Sequence, residues 1–264
     1  MSILGSIQYR LRHGRATMDY PDGPAPTLPD RHGGALRVEA AKCTDGCAAC
    51  VDVCPTRAIR RTPNNVIELD LGRCIFCSAC VETCPTRAIT HTGDHRIAAA
   101  RREDLLVGEA GEELRLAAAL DEKLRSLFGR SLRLRQVSAG GCNGCEADTN
   151  VLGTIGWDLG RFGIQFVASP RHADGLVVTG PVTHNMQLAL EKTYAAVPAP
   201  KIVIALGACA IAGGPFVDLP CVRNGAASVV PVDLYIAGCP PHPLTILDGL
   251  LRLLGRLDEQ RRAP

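Results

Sequence analysis

Apolar and polar positions alternate differently in the two parts of this chain. After Ser131, short apolar runs typical of buried strands alternate with longer stretches of helical periodicity. The pattern predicts strands at residues 132–137, 164–168, 175–179, 201–206 and 232–237, and helices at residues 184–197 and 244–260. Strands that alternate with helices in this way predict an α/β domain with an open, mainly parallel, flavodoxin-like sheet.

Three segments before Ser131 have patterns that predict a strand, a helix and a linker. Residues 65–74 alternate like a short strand, and residues 101–130 are rich in Leu, Ala, Glu and Arg, which predicts a connecting helix from about Glu112. Residues 20–34 are rich in Pro, Gly and Asp and are typical of a linker. The cysteine motifs described below predict that this part forms a small α+β unit.

The first dozen residues predict a basic amphipathic helix. One helical face carries four apolar residues, and three arginines lie nearby: Ile3, Leu4, Ile7 and Leu11, with Arg10, Arg12 and Arg15. Such a helix can lie on a membrane surface or in a groove of a partner protein. Packing against the rest of its own chain is the third possibility.

Cysteine dominates the composition, with 13 residues among 264. Residues 1–21 lack the apolar core of a secretory signal, and the sequence has no run of 18 apolar residues that would predict a membrane span. Clustered cysteines in a cytosolic chain bind metal more often than they form disulfides. The 29 basic and 27 acidic side chains nearly balance and only 4% of residues are aromatic, so no nucleic acid is expected as a partner.

A cysteine-rich segment of fourteen residues occurs twice. Residues 47–60 (CAACVDVCPTRAIR) and 77–90 (CSACVETCPTRAIT) match at ten of fourteen positions with an offset of thirty. The second copy completes the C-x₂-C-x₂-C-x₃-C-P run of bacterial ferredoxins, in which the fourth cysteine binds the other cluster of a pair. The first copy has one extra residue after Cys43, which a loop should tolerate.

Crossed ligation of two 4Fe-4S clusters follows from this repeat. The expected ligands are Cys43, Cys47, Cys50 and Cys84 for cluster one, and Cys74, Cys77, Cys80 and Cys54 for cluster two. Zinc also accepts four thiolates, but a tandem repeat in which both copies end in Cys-Pro is not usual in zinc modules. The sequence therefore predicts a small bacterial ferredoxin-like domain.

Four further cysteines follow three of the predicted strands. Cys142 and Cys145 come after the first strand, Cys209 after the fourth and Cys239 after the fifth, each with glycine beside it. The binding crevice of an open α/β sheet lies at the carboxyl ends of its strands, so these thiols are expected to meet there. Four cysteines suit a third 4Fe-4S cluster or a structural zinc ion, and the two clusters upstream favour the third cluster.

Five other residues have weaker assignments. Cys221 follows no strand and is expected to be a small buried apolar residue. Glu146 could relay protons, meet a partner, or be a solvated or capping carboxylate. His242 could hydrogen-bond toward the third cluster. Arg57 and Arg87 follow the two repeats and are expected to be exposed, although they could also raise the cluster potentials.

The C-terminal half resembles a known protein family. The segments GGCNGCEAD, SPRHADGLVVTGPVT, KIVIALGACAIAGG and VDLYIAGCPPHP are similar to the small subunit of group 4 membrane-bound NiFe hydrogenases of the formate hydrogenlyase type, a family homologous to the N2-cluster subunit of respiratory complex I. The segments DLGRCIFCSACVETCPTRAI and RREDLL resemble the two-cluster ferredoxin subunit of the same complexes. Together these likenesses cover nearly the whole chain.

The resemblance implies a domain organisation and partners. The expected units are an arm and linker (1–36), a ferredoxin domain (37–100), a helical connector (101–130) and a hydrogenase small-subunit-like domain (131–264). The third cluster would be the proximal cluster beside a NiFe site in a separate large subunit, and the chain itself carries no catalytic residue. Expected neighbours are membrane-arm subunits and a donor or acceptor module such as formate dehydrogenase or carbon monoxide dehydrogenase. The expected location is peripheral, at the cytoplasmic face of the inner membrane.

The spacing of Cys142 and Cys145 distinguishes two forms of this expectation. The complex I subunit has adjacent cysteines at this place, whereas this chain has C-x-x-C, which favours the hydrogenase type. A fused subunit of a complex I-like quinone oxidoreductase is the alternative. A structural zinc protein is the alternative of a different class.

Overall fold

The computed structural model describes residues 3–64, 66–108, 114–129 and 131–257. Its strands β1–β6 span Leu36–Val38, Ile59–Arg61, Ile67–Asp70, Ile89–His91, Ala98–Ala99 and Leu106–Val107. Strands β7–β11 span Leu132–Ser138, Ile164–Phe166, Gly175–Thr179, Ile202–Leu206 and Leu234–Ile236. Helices α1–α8 span Ile3–His13, Ala49–Val53, Ala79–Thr83, Glu122–Phe128, Gly144–Val151, His184–Ala196, Ala208–Ala212 and Pro243–Leu253.

The larger sheet has the strand order β5-β11-β10-β9-β7-β8. Strands β7 to β11 are parallel in the order 2-1-3-4-5, which is the flavodoxin-like order, and β5 adds an antiparallel edge to β11. Every residue of β9 and β10 is buried, as expected for the centre of a sheet covered on both faces. The predicted α/β fold is confirmed.

The ferredoxin-like part is built from two short antiparallel sheets and two helices of five residues. Strand β1 pairs with β4, and β3 lies between β2 and β6. Helices α2 and α3 occupy equivalent places in the two sequence repeats. This part confirms the predicted small α+β ferredoxin-like domain.

Two consecutive strands tie the halves of the chain together. Strand β5 pairs with β11 in the larger sheet, whereas β6, seven residues later, returns to pair with β3 in the ferredoxin-like part. One hydrophobic core contains Leu69 and Ile89 of the ferredoxin-like part together with Leu176 and Val203 of the larger sheet. The two halves are therefore packed against each other through a shared core.

Two predicted helices differ from the structure at their ends. Residues 111–113 lie outside the described residues, 114–121 are not helical, and α4 begins only at Glu122, where the Asp121 carboxylate accepts a hydrogen bond from the Leu124 amide at 2.9 Å. The preceding segment pairs instead with tertiary partners, since Ala117 N donates to Ala98 O at 2.7 Å. The last helix was predicted to span residues 244–260 but ends at Leu253, because Gly255 takes a left-handed φ of 66° that terminates it; residues 258–260 lie outside the described residues.

The Pro/Gly-rich segment after α1 is attached to the C-terminal half. The Tyr20 hydroxyl donates to Asp248 Oδ1 at 2.8 Å, and the Arg161 guanidinium donates to the carbonyls of Met18 and Tyr20, both at 2.6 Å. Asp248 is fully buried and also pairs with Arg252 at 2.7 Å. Burial next to the Asp248 carboxylate holds the pKa of Tyr20 far above its ordinary value.

We expect Tyr20→Phe to lower the free energy of unfolding by about 1–3 kcal/mol, because Asp248 would lose a hydrogen bond inside the protein. Denaturant unfolding of the anaerobically prepared protein measures this. Tyr9→Phe is the control, since Tyr9 lies 59% exposed on α1. Equal unfolding midpoints for the two variants would show that Tyr20 does not stabilise the attachment.

Candidate iron–sulfur sites

The cysteines assigned to cluster one surround one cavity in the ferredoxin-like part. Its walls include Cys43, Cys47, Cys50 and Cys84, with apolar residues Val38, Ile67 and Ile89. Burial raises the pKa of the Cys50 thiol, and the nearby Cys43 and Cys84 raise it further. Cys84 therefore lies with the cysteines of the first repeat, although it ends the second.

The cysteines assigned to cluster two surround an adjacent cavity. Its walls include Cys54, Cys74, Cys77 and Cys80, with Leu36, Ile59 and Leu69. Burial raises the pKa of Cys74 to about 12 and that of Cys80 to about 11, and Cys54 contributes to both shifts. Here the last cysteine of the first repeat lies with those of the second.

Backbone amides point at the sulfur atoms in both repeats. Ala58 N donates to Cys54 Sγ and Ala88 N to Cys84 Sγ, each at 3.2 Å, and Phe76 N donates to Cys74 Sγ at 3.3 Å. For Cys84, burial raises the thiol pKa, but hydrogen bonds from the Ile89 and Ala88 amides and from Thr86 outweigh this effect, and the pKa is lowered. Amides placed in this way stabilise negative charge on sulfur, which suits thiolates that bind a cluster.

The extra residue of the first repeat is absorbed in a loop. Residues Thr44 to Gly46 separate Cys43 from Cys47, and Gly46 takes a φ of 73°. The Arg61 guanidinium donates to Cys43 Sγ at 3.8 Å and to the Cys47 carbonyl. Sequence reasoning missed Arg61, because nothing in its surroundings distinguishes it from the adjacent Arg60.

The remaining four assigned cysteines follow three strands of the larger sheet. Cys142 and Cys145 follow β7, Cys209 lies in α7 directly after β10, and Cys239 follows β11. Strands β7 and β9 are neighbours on either side of the point where the strand order reverses, which is where ligands bind in such sheets. All four cysteines lie at the edge of the sheet formed by the carboxyl ends of these strands.

Glycines allow the loops of this third group to approach closely. A Cβ atom on Gly207 would lie 2.5 Å from Cys145 Sγ, and one on Gly214 would lie 2.8 Å from Cys209 Sγ. Both glycines have positive φ angles, 87° and 54°. The sulfur atoms therefore occupy space that any other residue at these two positions would fill.

Burial and mutual proximity raise the pKa of three thiols in the third group. Burial raises the pKa of Cys145 and of Cys209 to about 12 each, and Cys239 adds to both shifts. Burial also raises the pKa of Cys239, with a further contribution from Cys142. Cys145 and Cys209 are therefore protonated at neutral pH unless a metal displaces the protons.

The three groups of cysteines form a continuous series. Beyond the larger effect of burial, Cys50 of the first cavity raises the pKa of Cys80 in the second. In the same way Cys77 of the second cavity raises the pKa of Cys239 in the third group. Ser78, next to Cys77, also lines the same cleft as Gly238 and Pro240, which flank Cys239. The second cavity therefore adjoins both of the other groups.

The surroundings of the first two groups suit iron–sulfur clusters. Apolar side chains form the walls of both cavities, and backbone amides donate to Cys54, Cys74 and Cys84. Cysteine thiolates that receive such hydrogen bonds are typical ligands of 4Fe-4S clusters.

Glu146 is buried next to the third group. Its carboxylate accepts a hydrogen bond from Thr179 Oγ1 at 2.6 Å and another from Ser138. Burial raises its pKa, but these hydrogen bonds outweigh that effect and the pKa is lowered. The structure therefore excludes a solvated carboxylate, and the partners Thr179 and Ser138 were not foreseen because they end two different strands.

Cys221 is exposed, so its predicted burial was wrong. Its loop crosses the protein surface with its backbone held, since His184 N donates to the Cys221 carbonyl at 2.9 Å. His242 caps α8, because its Nδ1 accepts a hydrogen bond from Leu244 N at 3.1 Å. Arg57 and Arg87 are exposed in turns with φ of 52° and 53°, and Arg57 pairs with Asp218 at 3.5 Å.

A cleft of about 740 Å³ lies between the second and third groups of cysteines. His32, His91 and His242 line it, and the rings of His32 and His242 meet edge to face with centroids 5.2 Å apart. Burial lowers the pKa of His242 to about 4, so its ring is neutral at pH 7. The sequence did not point to His32 and His91, because these imidazoles come from separate segments.

Comparison with known proteins shows the family of this chain. Residues 142–253 match the family described as NADH ubiquinone oxidoreductase, 20 Kd subunit, and residues 42–88 match the 4Fe-4S dicluster domain. The chain is 42% identical over 135 residues to the probable membrane-bound hydrogenase subunit mbhJ of Pyrococcus furiosus, an alignment that covers 51% of this chain and 81% of the relative. The chain thus belongs to the 20 Kd subunit family of NADH ubiquinone oxidoreductase, joined here to a ferredoxin-type dicluster domain.

Two other relatives represent the two branches considered above. Formate hydrogenlyase subunit 7 of Escherichia coli is 43% identical over 146 residues, 55% of this chain and 57% of the relative. A subunit of the NADH-quinone oxidoreductase of Heliobacterium modesticaldum is 41% identical over 114 residues, 43% of this chain and 65% of the relative. The chain therefore spans less than two thirds of the length of each of these two proteins.

Proposed function

We propose that this chain is the electron-transfer subunit of a membrane-associated, hydrogenase-like oxidoreductase, and that it carries three 4Fe-4S clusters. The observation that carries the proposal is the set of three cysteine groups, each with four thiols, in which the second adjoins both of the others. When bound, a 4Fe-4S cluster accepts and donates single electrons. The residues of this chain provide the thiolates, the amide donors and the apolar walls that exclude water.

The proposed ligands are those of the crossed arrangement. Cluster one would be held by Cys43, Cys47, Cys50 and Cys84, cluster two by Cys54, Cys74, Cys77 and Cys80, and the proximal cluster by Cys142, Cys145, Cys209 and Cys239. Cys84 lines the same cavity as Cys50, and Cys54 lines the same cavity as Cys80, which supports crossed ligation between the two repeats. The proximal cluster would face a separate large subunit, since Cys142 and Cys239 are exposed.

The proposed partners follow from the relatives. A NiFe large subunit would bind at the proximal cluster, and a donor or acceptor module such as formate dehydrogenase or carbon monoxide dehydrogenase would bind at the cluster-one end. Membrane-arm subunits would hold the complex at the cytoplasmic face of the inner membrane. No helix in the described residues is long and apolar enough to cross a bilayer.

A complex I-like quinone oxidoreductase is the second candidate, because the relative from NADH-quinone oxidoreductase is nearly as similar as the hydrogenlyase subunit. The C-x-x-C spacing of Cys142 and Cys145 favours the hydrogenase type. Co-purification of the large subunit, followed by nickel analysis, distinguishes the two. Stoichiometric nickel in the partner supports the hydrogenase type, and its absence in an active complex supports the quinone-reducing type.

Metal analysis of the anaerobically prepared chain tests the cluster assignment. Three clusters of four irons each predict about 12 iron atoms per chain, with an equal amount of acid-labile sulfide and no stoichiometric zinc. Two or more zinc ions per chain would contradict the proposal. About 8 iron atoms per chain would be consistent with the two ferredoxin-type clusters and would contradict only the third site.

A further inference from the structure

Helix α1 differs from the other long helices in how it meets the protein. None of the described residues of Ile3–His13 is buried. Its four aliphatic side chains are among the most exposed in the protein: Ile3 is 81%, Leu4 79%, Ile7 52% and Leu11 82% exposed. Apolar side chains gathered on one helix in this way indicate that the helix contacts something outside this chain.

The arrangement of these side chains forms a single stripe. Successive helical residues rotate by about 100°, so the four aliphatic residues fall within a sector of roughly 100°. On the same helical projection, Arg10 lies next to one edge of this stripe and Arg12 lies beyond the other. Arginines that flank an apolar stripe can extend to phosphate groups while the stripe enters the acyl region.

The charge of this segment has one sign. Residues 1–18 contain Arg10, Arg12, His13 and Arg15 but no Asp or Glu. The first acidic residue, Asp19, approaches Arg15 at 3.9 Å, and both side chains are largely exposed. Arg10 and Arg12 lie on the helix itself, the first beside the apolar stripe and the second on the polar face beyond it, so the charged part of the helix complements an anionic surface.

The attachment of the helix keeps this surface close to the body of the protein. Met18 N donates to the Gly156 carbonyl at 3.0 Å, and Arg161 holds the Met18 carbonyl, only five residues after the helix ends. Ile155, next to Gly156, is 75% exposed. A further exposed aliphatic residue therefore lies at the point where the arm joins the C-terminal half.

We propose that α1 binds directly to the headgroup region of an anionic phospholipid bilayer, with Ile3, Leu4, Ile7 and Leu11 in the acyl boundary and Arg10 and Arg12 on lipid phosphates. This lipid contact is independent of the redox role, because no cysteine of the three groups lies on or next to α1. It requires no other subunit. The occupant is a lipid surface rather than a protein groove, because two arginines flank the stripe without an acidic residue beside them.

Flotation of the anaerobically prepared full chain with protein-free vesicles tests the proposal. The chain is expected to float with vesicles that contain phosphatidylglycerol, and to remain in solution with vesicles of phosphatidylcholine alone. High salt should weaken the binding, because it screens the arginines. Arg10→Gln with Arg12→Gln is expected to weaken binding roughly 30-fold, since each basic residue near an anionic surface contributes about fivefold.

A pair of leucine variants tests the apolar stripe. Leu4→Gln with Leu11→Gln is expected to weaken vesicle binding by at least about tenfold, because both side chains would leave the acyl boundary. The matched control is Leu188→Gln with Leu219→Gln, which replaces two leucines that are 57% and 47% exposed elsewhere on the protein. Iron content should be the same in all variants, which shows that the protein remains folded.

Three results would overturn the proposal. One is failure of the unaltered chain to float with anionic vesicles, including the case in which it floats only when membrane-arm subunits are present, since α1 would then bind protein. Another is equal flotation with both lipid compositions. The third is equal loss of binding in the stripe variant and in the control variant.

Discussion

Replacement of Cys209 by serine is expected to remove one cluster and leave two. The variant should contain about 8 iron atoms per chain instead of about 12, because a cluster that has lost a thiolate is held by three ligands at an edge of the protein that is open to solvent. Electron transfer from the ferredoxin-type clusters to the large subunit should fall below detection. Iron analysis and low-temperature electron paramagnetic resonance of the reduced protein measure the loss.

Cys221→Ser is the matched control for this experiment. Cys221 lies twelve residues after Cys209 on the same half of the chain, but it is exposed and belongs to none of the three groups. Its replacement should leave the iron content and the spectrum unchanged. If Cys209→Ser retained about 12 iron atoms, or if Cys221→Ser lost about four, the assignment of the proximal ligands would be incorrect.

Replacement of Gly207 by alanine should damage the same site without removing a ligand. The new Cβ would lie 2.5 Å from Cys145 Sγ, and the φ of 87° at this residue is unfavourable for any side chain. We expect a loss of stability of about 1–3 kcal/mol and a displaced Cys145 sulfur, so that the iron content falls toward about 8 atoms per chain.

Gly156→Ala is the control for the glycine experiment. Gly156 has no atom within 4 Å of the position of a new Cβ and is not among the residues of positive φ. This variant should keep its iron content and its unfolding midpoint. If both glycine variants behaved like the unaltered protein, close approach at Gly207 would not be needed for the proximal site.

The candidate sites could be predicted because each depends on local sequence. The two repeats carry most of their ligands on short contiguous loops, so the spacing of the cysteines already indicates which chemistry they serve. The four remaining cysteines could be grouped because each follows an apolar strand, and the carboxyl ends of parallel strands meet at one edge. The parallel sheet, in which β9 and β10 are buried, confirms the prediction made from the hydrophobic periodicity.

Features that depend on contacts between distant segments could not be predicted. The composition of residues 112–121 favours a helix, but Ala117 binds the backbone of Ala98 and Leu120 that of Leu253. Cys221 has the chemistry of a buried residue, yet its loop crosses the surface. Tertiary hydrogen bonds thus hold residues 114–121 outside a helix, because intrinsic helix propensities are too weak to oppose such contacts.

By itself, the sequence determined the fold class and the ferredoxin-like repeat, and it led to the proposed grouping of twelve cysteines. These depend on periodicity and spacing, which are properties of short segments. Only the tertiary structure decided that the second group of cysteines adjoins the other two, that Glu146 is buried against Thr179, and that α1 keeps its apolar stripe exposed. These features depend on how segments far apart in the chain pack together, and packing is determined by the whole fold rather than by any one segment.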